Sequence, residues 1–129
     1  MPMVSKKLLP LVFAGGAFGT SVRYSFEILL GTLPQGQLIL TTLVNLLGAF
    51  LLGFVSVHRF FKSLNRQALW GVGFLGSFTT MSGLAAITAG AELGLSDGGP
   101  IYWLLVLLQL VIGVAAYRLG IVIAGGRSK

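Results

Sequence analysis

Four long apolar stretches, almost free of charge, constrain this chain more than any other feature. They cover roughly residues 8–30, 38–57, 68–91 and 101–125, and the second and third hold no charged residue. A bilayer core about 30 Å thick is crossed by about 20 helical residues, and each stretch reaches that length. Hydrocarbon offers no water to backbone groups, so the stretches are expected as helices rather than open strands. Charged residues make up only 9% of the 129 positions, against about 25% in soluble domains. Nine basic and three acidic side chains cannot cover the surface of a soluble protein of this size. A soluble enzyme is therefore excluded. The expected fold class is an all-α integral membrane protein, with residues 1–129 forming a single four-helix transmembrane domain.

The remaining composition narrows the chemistry. There is no cysteine, hence no disulfide framework, thiolate zinc site or iron–sulfur cluster. One histidine and three acids leave too few side-chain ligands for an ordinary metal site. The net charge is +6, but the basic residues flank apolar runs, which points to orientation in a membrane and not to nucleic acid. Lys6 and Lys7 ahead of Leu8–Ala14 loosely fit a signal peptide. Pro10 interrupts that run and apolar sequence continues past Ala17, so a retained helix is expected. The connections 31–36, 58–67 and 94–100 are too short to hold a soluble domain, which leaves function within the membrane or at its faces.

Charge also sets an expected topology. With four spans, the N-terminus, the middle connection and the C-terminus share one side. That side carries Lys6, Lys7, Arg59, Lys62, Arg66, Arg127 and Lys129, while the opposite connections hold Asp97, with Glu92 nearby, and no basic residue. The positive-inside rule then places both termini in the cytoplasm, in a multi-pass protein of the inner (plasma) membrane.

Several polar residues lie inside the apolar spans. Asn45 is mid-helix, either as a hydrogen-bonding contact between helices or as an amide donor facing a pore. Gln109 raises the same two possibilities. Gly48, Gly53, Gly113 and Gly120 fit close helix packing. Arg23 lies about 10 Å from the outer end of its helix at 1.5 Å per residue. It either pairs with Glu27 one turn on or draws anions into a vestibule, with Glu27 trimming its field. Arg118 reads as an interfacial anchor, and His58 as an interfacial histidine. Segment three gathers Gly71, Gly73, Gly76, Ser77, Thr79, Thr80, Ser82 and Gly83 near its middle. Either the helix is unbroken with back-bonded hydroxyls, or it breaks and frees carbonyls able to hold a cation.

In combination these residues resemble the Fluc family of fluoride channels, the CrcB proteins, over nearly the whole chain. Gly15–Tyr24 is similar to the family's first-helix signature and Thr42–Phe50 to the second. Gly73-Phe74-Leu75-Gly76-Ser77-Phe78-Thr79-Thr80-Met81-Ser82 is similar to its broken third helix. The resemblance implies an antiparallel dimer with two pores and passive export of cytoplasmic fluoride. It implies a structural sodium ion at the dimer centre, on carbonyls at positions matching Gly76 and Thr79. The pore-facing amide falls on Asn45, other pore-lining positions on Met81, Ser82 and Leu84, and the vestibule arginine on Arg23.

The third helix departs from the family pattern. Met81 and Leu84 stand where the family has pore-lining phenylalanines, and Ile87 stands where it has an acid. The fourth helix lacks the usual hydroxyls. Antiparallel insertion of one sequence requires little charge bias, yet here the bias is strong. The expected partner is therefore a paralogous subunit of opposite topology, with a homodimer as the other possibility. Two other functions remain open: a small multidrug-type antiporter, for which Glu27 is the sole helix-one carboxylate, and a non-conducting structural subunit of a heterodimeric channel.

Overall fold

A computed structural model of the chain describes residues 5–33, 36–80 and 99–125. All regular structure among them is helical. A 3₁₀ turn, Lys6–Leu8, capped by the Ser5 hydroxyl, leads into α1, Leu9–Leu30. Pro10 sits in the first turn of α1, where its missing N–H costs no hydrogen bond. Helix α2 spans Gly36–Val57. His58 then accepts from the Phe60 N–H through Nδ1 at 3.2 Å and caps a second 3₁₀ turn, Arg59–Phe61.

Helix α3 covers residues 64–78 in three registers. An α-helical turn, Leu64–Arg66, opens it with Ser63 as N-cap, and a π-helical stretch, Gln67–Leu75, continues it. A last α-helical turn, Gly76–Phe78, closes it. The helix therefore starts inside the stretch read from sequence as the 58–67 connection, because the Ser63 hydroxyl accepts from the Arg66 N–H there. It stops at Phe78, and Thr79 is extended at φ −77°, ψ 154°. This stop falls in the glycine and hydroxyl cluster, and the second half that the broken-helix reading expects lies outside the described residues. Helix α4 spans Gly99–Gly125.

Among the described residues, two helices, Gly36–Val57 and Pro100–Gly125, are long and apolar enough to cross a membrane. Helix α1 is as long as α2, at 22 residues, but carries Arg23, Glu27 and several hydroxyls. Two of its hydroxyls are satisfied within the helix: Ser21 donates to the Ala17 carbonyl at 2.8 Å and Ser25 to the Ser21 carbonyl at 3.0 Å.

Packing skips one helix at a time. Among the described residues, α1 packs chiefly on α3 and α2 on α4. Glycines set both seams, since a small residue lets two backbones approach. A methyl group at Gly15 would overlap the Leu69 carbonyl, and one at Gly19 the Phe74 carbonyl. Between α2 and α4 the arrangement is reciprocal: Gly53 lies under the Tyr117 carbonyl and Gly120 under that of Phe50. Numbers rise together from Gly15 against Leu69 to Gly19 against Phe74 along one seam, and from Asn45 against Gln109 to Val57 against Gly125 along the other, so the members of each pair run parallel. This is the direction that four consecutive crossings require.

A small core of Leu40, Val44 and Phe78, with Val22, Leu30 and Phe74 against it, joins α1, α2 and α3. Phe74 and Phe78 stack at 5.7 Å, and Phe18, Phe26 and Trp70 extend the aromatic contacts along α1 and α3. Outside this core the surface is apolar. On α4 only Gly120 is buried among the described residues, while Val111 and Val122 are 68% and 69% exposed. Such a helix needs lipid or another protein around it.

Candidate functional site

The polar centre of the molecule lies where α3 ends. Thr79 and Thr80 leave the helix axis there, and helices α2 and α4 bring one amide each to that point. The Asn45 carboxamide grips the Thr80 peptide from both sides. Its Oδ1 accepts from the Thr80 N–H at 2.8 Å, and its Nδ2 donates to the Thr80 carbonyl at 3.0 Å. The second N–H of Nδ2 donates to Gln109 Oε1 on α4 at 3.4 Å. Three helices are thus tied at one side chain, which is itself half-buried. In a low-dielectric surround these bonds are costly to leave unmade.

This grip explains the break. In an unbroken α-helix the Thr80 N–H would bond the Gly76 carbonyl; here it goes to Asn45. The Thr79 hydroxyl and N–H both turn back to the Leu75 carbonyl, each at 3.1 Å. The last turn is closed by those two bonds, and the chain then departs in extended form. Gly76 itself is exposed, and a Cβ there would meet nothing within 4 Å. Gly48 lies opposite, so close to the Thr79 methyl that a side chain at 48 would overlap it.

Two adjoining cavities run along the α2–α4 seam. One, of about 400 Å³, extends from Asn45 and Gln109 past Gly48, Gly76 and Gly113 to Tyr117. The other, about 330 Å³, extends from Leu46 and Gln109 the opposite way, to Leu38 and Leu105. Leu46 and Gln109 line both. A polar crossing point thus lies between two mainly apolar chambers.

Of the residues singled out from sequence, Asn45, Gly76, Thr79 and Gln109 come together here. Arg23 does not. It is half-buried on α1, and neither it nor Glu27 forms an ion pair among the described residues, so the intrahelical pair is not made. Met81, Ser82 and Leu84 lie outside the described residues. Gln109 had been one polar side chain on an apolar helix; only its distance to Asn45 shows what it joins. At the opposite edge, the 58–66 connection is self-contained. His58 stacks on Phe54 at 4.8 Å, and Arg66 sits 4.2 Å over the Phe60 ring while donating to the Phe60 carbonyl at 2.6 Å.

The profile of the family described as CrcB-like protein, Camphor Resistance (CrcB) matches residues 10–121. A protein of Thermosipho melanesiensis named "Fluoride-specific ion channel FluC" is 37% identical, over 91% of this chain and 95% of its own. One of the same name from Prosthecochloris aestuarii is 36% identical, over 88% and 90%. A Bacillus licheniformis protein named "Fluoride-specific ion channel FluC 2" is 39% identical, over 92% of each. No solved structure matches the chain. A profile match across most of the sequence, with relatives above 30% identity along nearly their whole length, means that the chain belongs to the CrcB family.

Proposed function

We propose that this chain is a subunit of a fluoride channel in the plasma membrane, letting fluoride leave the cytoplasm down its gradient. The observation that carries the reading is the amide crossing point at the end of α3, in a chain of this family. Fluoride is small and strongly hydrated, so a narrow passage must replace its water with hydrogen-bond donors. Asn45 brings its amide to this crossing point and holds the Thr80 peptide, next in sequence to Met81, Ser82 and Leu84, the other positions assigned here to the pore lining. Arg23 has no ion-pair partner among the described residues and is suited to drawing anions toward the passage. Chambers with apolar walls keep competing water out of the route.

The working unit is an antiparallel dimer. Its support is the exposed apolar surface of α4 and the open face at Gly76, both of which want cover. The strong basic bias favours a paralogous partner of opposite topology, and numbered names such as FluC 2 among the relatives agree with paired copies. The parallel running of α1 with α3 and of α2 with α4 supports four alternating crossings, with both termini on the basic, cytoplasmic side.

The end of α3 also fits a structural sodium ion at the dimer centre. A hard cation takes oxygen ligands, and the Gly76 carbonyl has lost its helical donor to Asn45. Thr79 is extended, so its carbonyl no longer follows the helix axis. Gly76 and Thr79 of each chain would hold the ion, and sodium bound there supplies positive charge that ties two helix ends together.

Fluoride efflux from liposomes tests the reading, with this chain alone and with a paralogue encoded beside it. Fluoride-selective release in either arm is expected. No release in both arms overturns it, and sodium-dependent dimerisation without release would leave a structural subunit.

A further inference from the structure

We infer that Gln109 carries the anion-binding donor of this chain and that Asn45 acts through it as a positioning residue. The inference rests on the fluoride-channel reading. The argument begins at the Thr80 peptide, whose N–H donates and whose carbonyl accepts. A carboxamide facing both must put its oxygen on the N–H and its nitrogen on the carbonyl, so the orientation of Asn45 is fixed. Its remaining N–H then points at Gln109, which must answer with Oε1. That fixes Gln109 in turn and leaves its Nε2 group outward.

Asn45 has spent both its N–H groups. The Nε2 of Gln109 has no acceptor among the described residues. A side-chain amide offers two N–H donors, and this one sits where the two cavities adjoin. An anion reaching Asn45 would have to displace Gln109; an anion reaching Gln109 Nε2 displaces no partner among the described residues. The relay from Thr80 through Asn45 to Gln109 also polarises each amide in the same sense, strengthening the terminal donor. Helix α4 otherwise presents apolar residues to these chambers, apart from Tyr117, so Gln109 is its one polar side chain where the two cavities adjoin.

Two substitutions separate the donor from the packing. Gln109→Met keeps length and loses both amide groups. Gln109→Glu keeps an oxygen toward Asn45 and turns the outward donor into an acceptor, unless the carboxyl is protonated. Both are reconstituted in liposomes at equal protein in the assembly that releases fluoride, with dimer content measured by gel filtration. Efflux per assembled channel is expected to fall roughly tenfold or more in Gln109→Met, the order for one uncompensated hydrogen bond. In Gln109→Glu it is expected to fall further at about pH 8 and to recover as pH is lowered to about 6, since burial favours the protonated acid. Among the described residues lining the two cavities, Tyr117 is the single ionisable side chain, and the original channel run in parallel subtracts other pH effects. Original efflux per channel in Gln109→Met overturns the inference and leaves the channel reading standing. Lost assembly with unchanged efflux per channel also overturns it, making Gln109 a packing contact. No fluoride release from the original channel, alone or with its paralogue, overturns both.

Discussion

Asn45 shows how one side chain can shape a helix end from outside the helix. By taking the Thr80 N–H it removes the bond that would have continued α3. Asn45→Leu should leave the Thr80 peptide without that partner and destabilise the protein by about 1–3 kcal/mol, read as a lower melting temperature in detergent. Asn45→Asp keeps an acceptor for Thr80 but loses both donors, and places an anion on the fluoride route. Its efflux per channel should fall below that of Asn45→Leu. Gly76→Ala makes a different prediction. A methyl there meets nothing within 4 Å among the described residues, so monomer folding should be unchanged. Weaker dimerisation, or loss of its sodium dependence, would report a partner or cation close to that face; an unchanged dimer would remove Gly76 from the ion site. The importance of Asn45 was legible in the sequence, because an amide inside an apolar helix needs partners. Its partners were not, since they lie 35 and 64 positions away and no local pattern links them. Sequence left open whether Arg23 pairs with Glu27, and i, i+4 spacing favoured the pair; the rotamers resolve it against pairing.

Among the elements, α1, α2 and α4 begin and end within a few residues of the apolar stretches, because apolar length sets them, whereas the far end of the third stretch lies outside the described residues. The stop in α3 was foreshadowed by its glycines and hydroxyls. The π-helical register was not, since a change from four- to five-residue bonding leaves no mark on an all-apolar pattern. The glycines were visible as packing residues without their partners, and the structure now ranks them. Gly53→Ala and Gly120→Ala push a methyl into a backbone carbonyl of the facing helix. Each should cost about 1–3 kcal/mol, the range for overpacking where a backbone must shift. Gly113→Ala, on the same seam but facing open space, should be close to neutral. Thermal melts of the three variants in one detergent decide the point. Equal losses at Gly53 and Gly113 would mean that α2 and α4 do not cross at those glycines.

At the scale of the whole molecule, charge and lipid exposure govern. Single cysteines at Ser5 and Ser96 should label from opposite sides of the membrane, with Ser5 cytoplasmic. Equal external labelling at both would mean dual insertion and remove the basis for a paralogous partner. Exchanging sodium for a large organic cation should lower dimer stability, because a ligand bound only by the assembled form stabilises it by mass action. Equal stability in both media would count against the ion. Sequence yields an expected orientation because basic residues act singly and additively, whereas the cover over α4 depends on a second chain that one sequence does not describe. The skip-one pairing of helices has its own consequence for how the protein is made. Neighbouring helices emerge from the ribosome first, yet the glycine seams join first to third and second to fourth. No early hairpin can settle: α1 must wait in the bilayer for α3, and α2 for α4, the last to be synthesised. Until α4 has been made, Gly53 has no carbonyl above it and Asn45 no glutamine beside it. Commitment to the native state is therefore deferred to the final helix, and a chain released before α4 would present its unfilled seam to quality-control proteases.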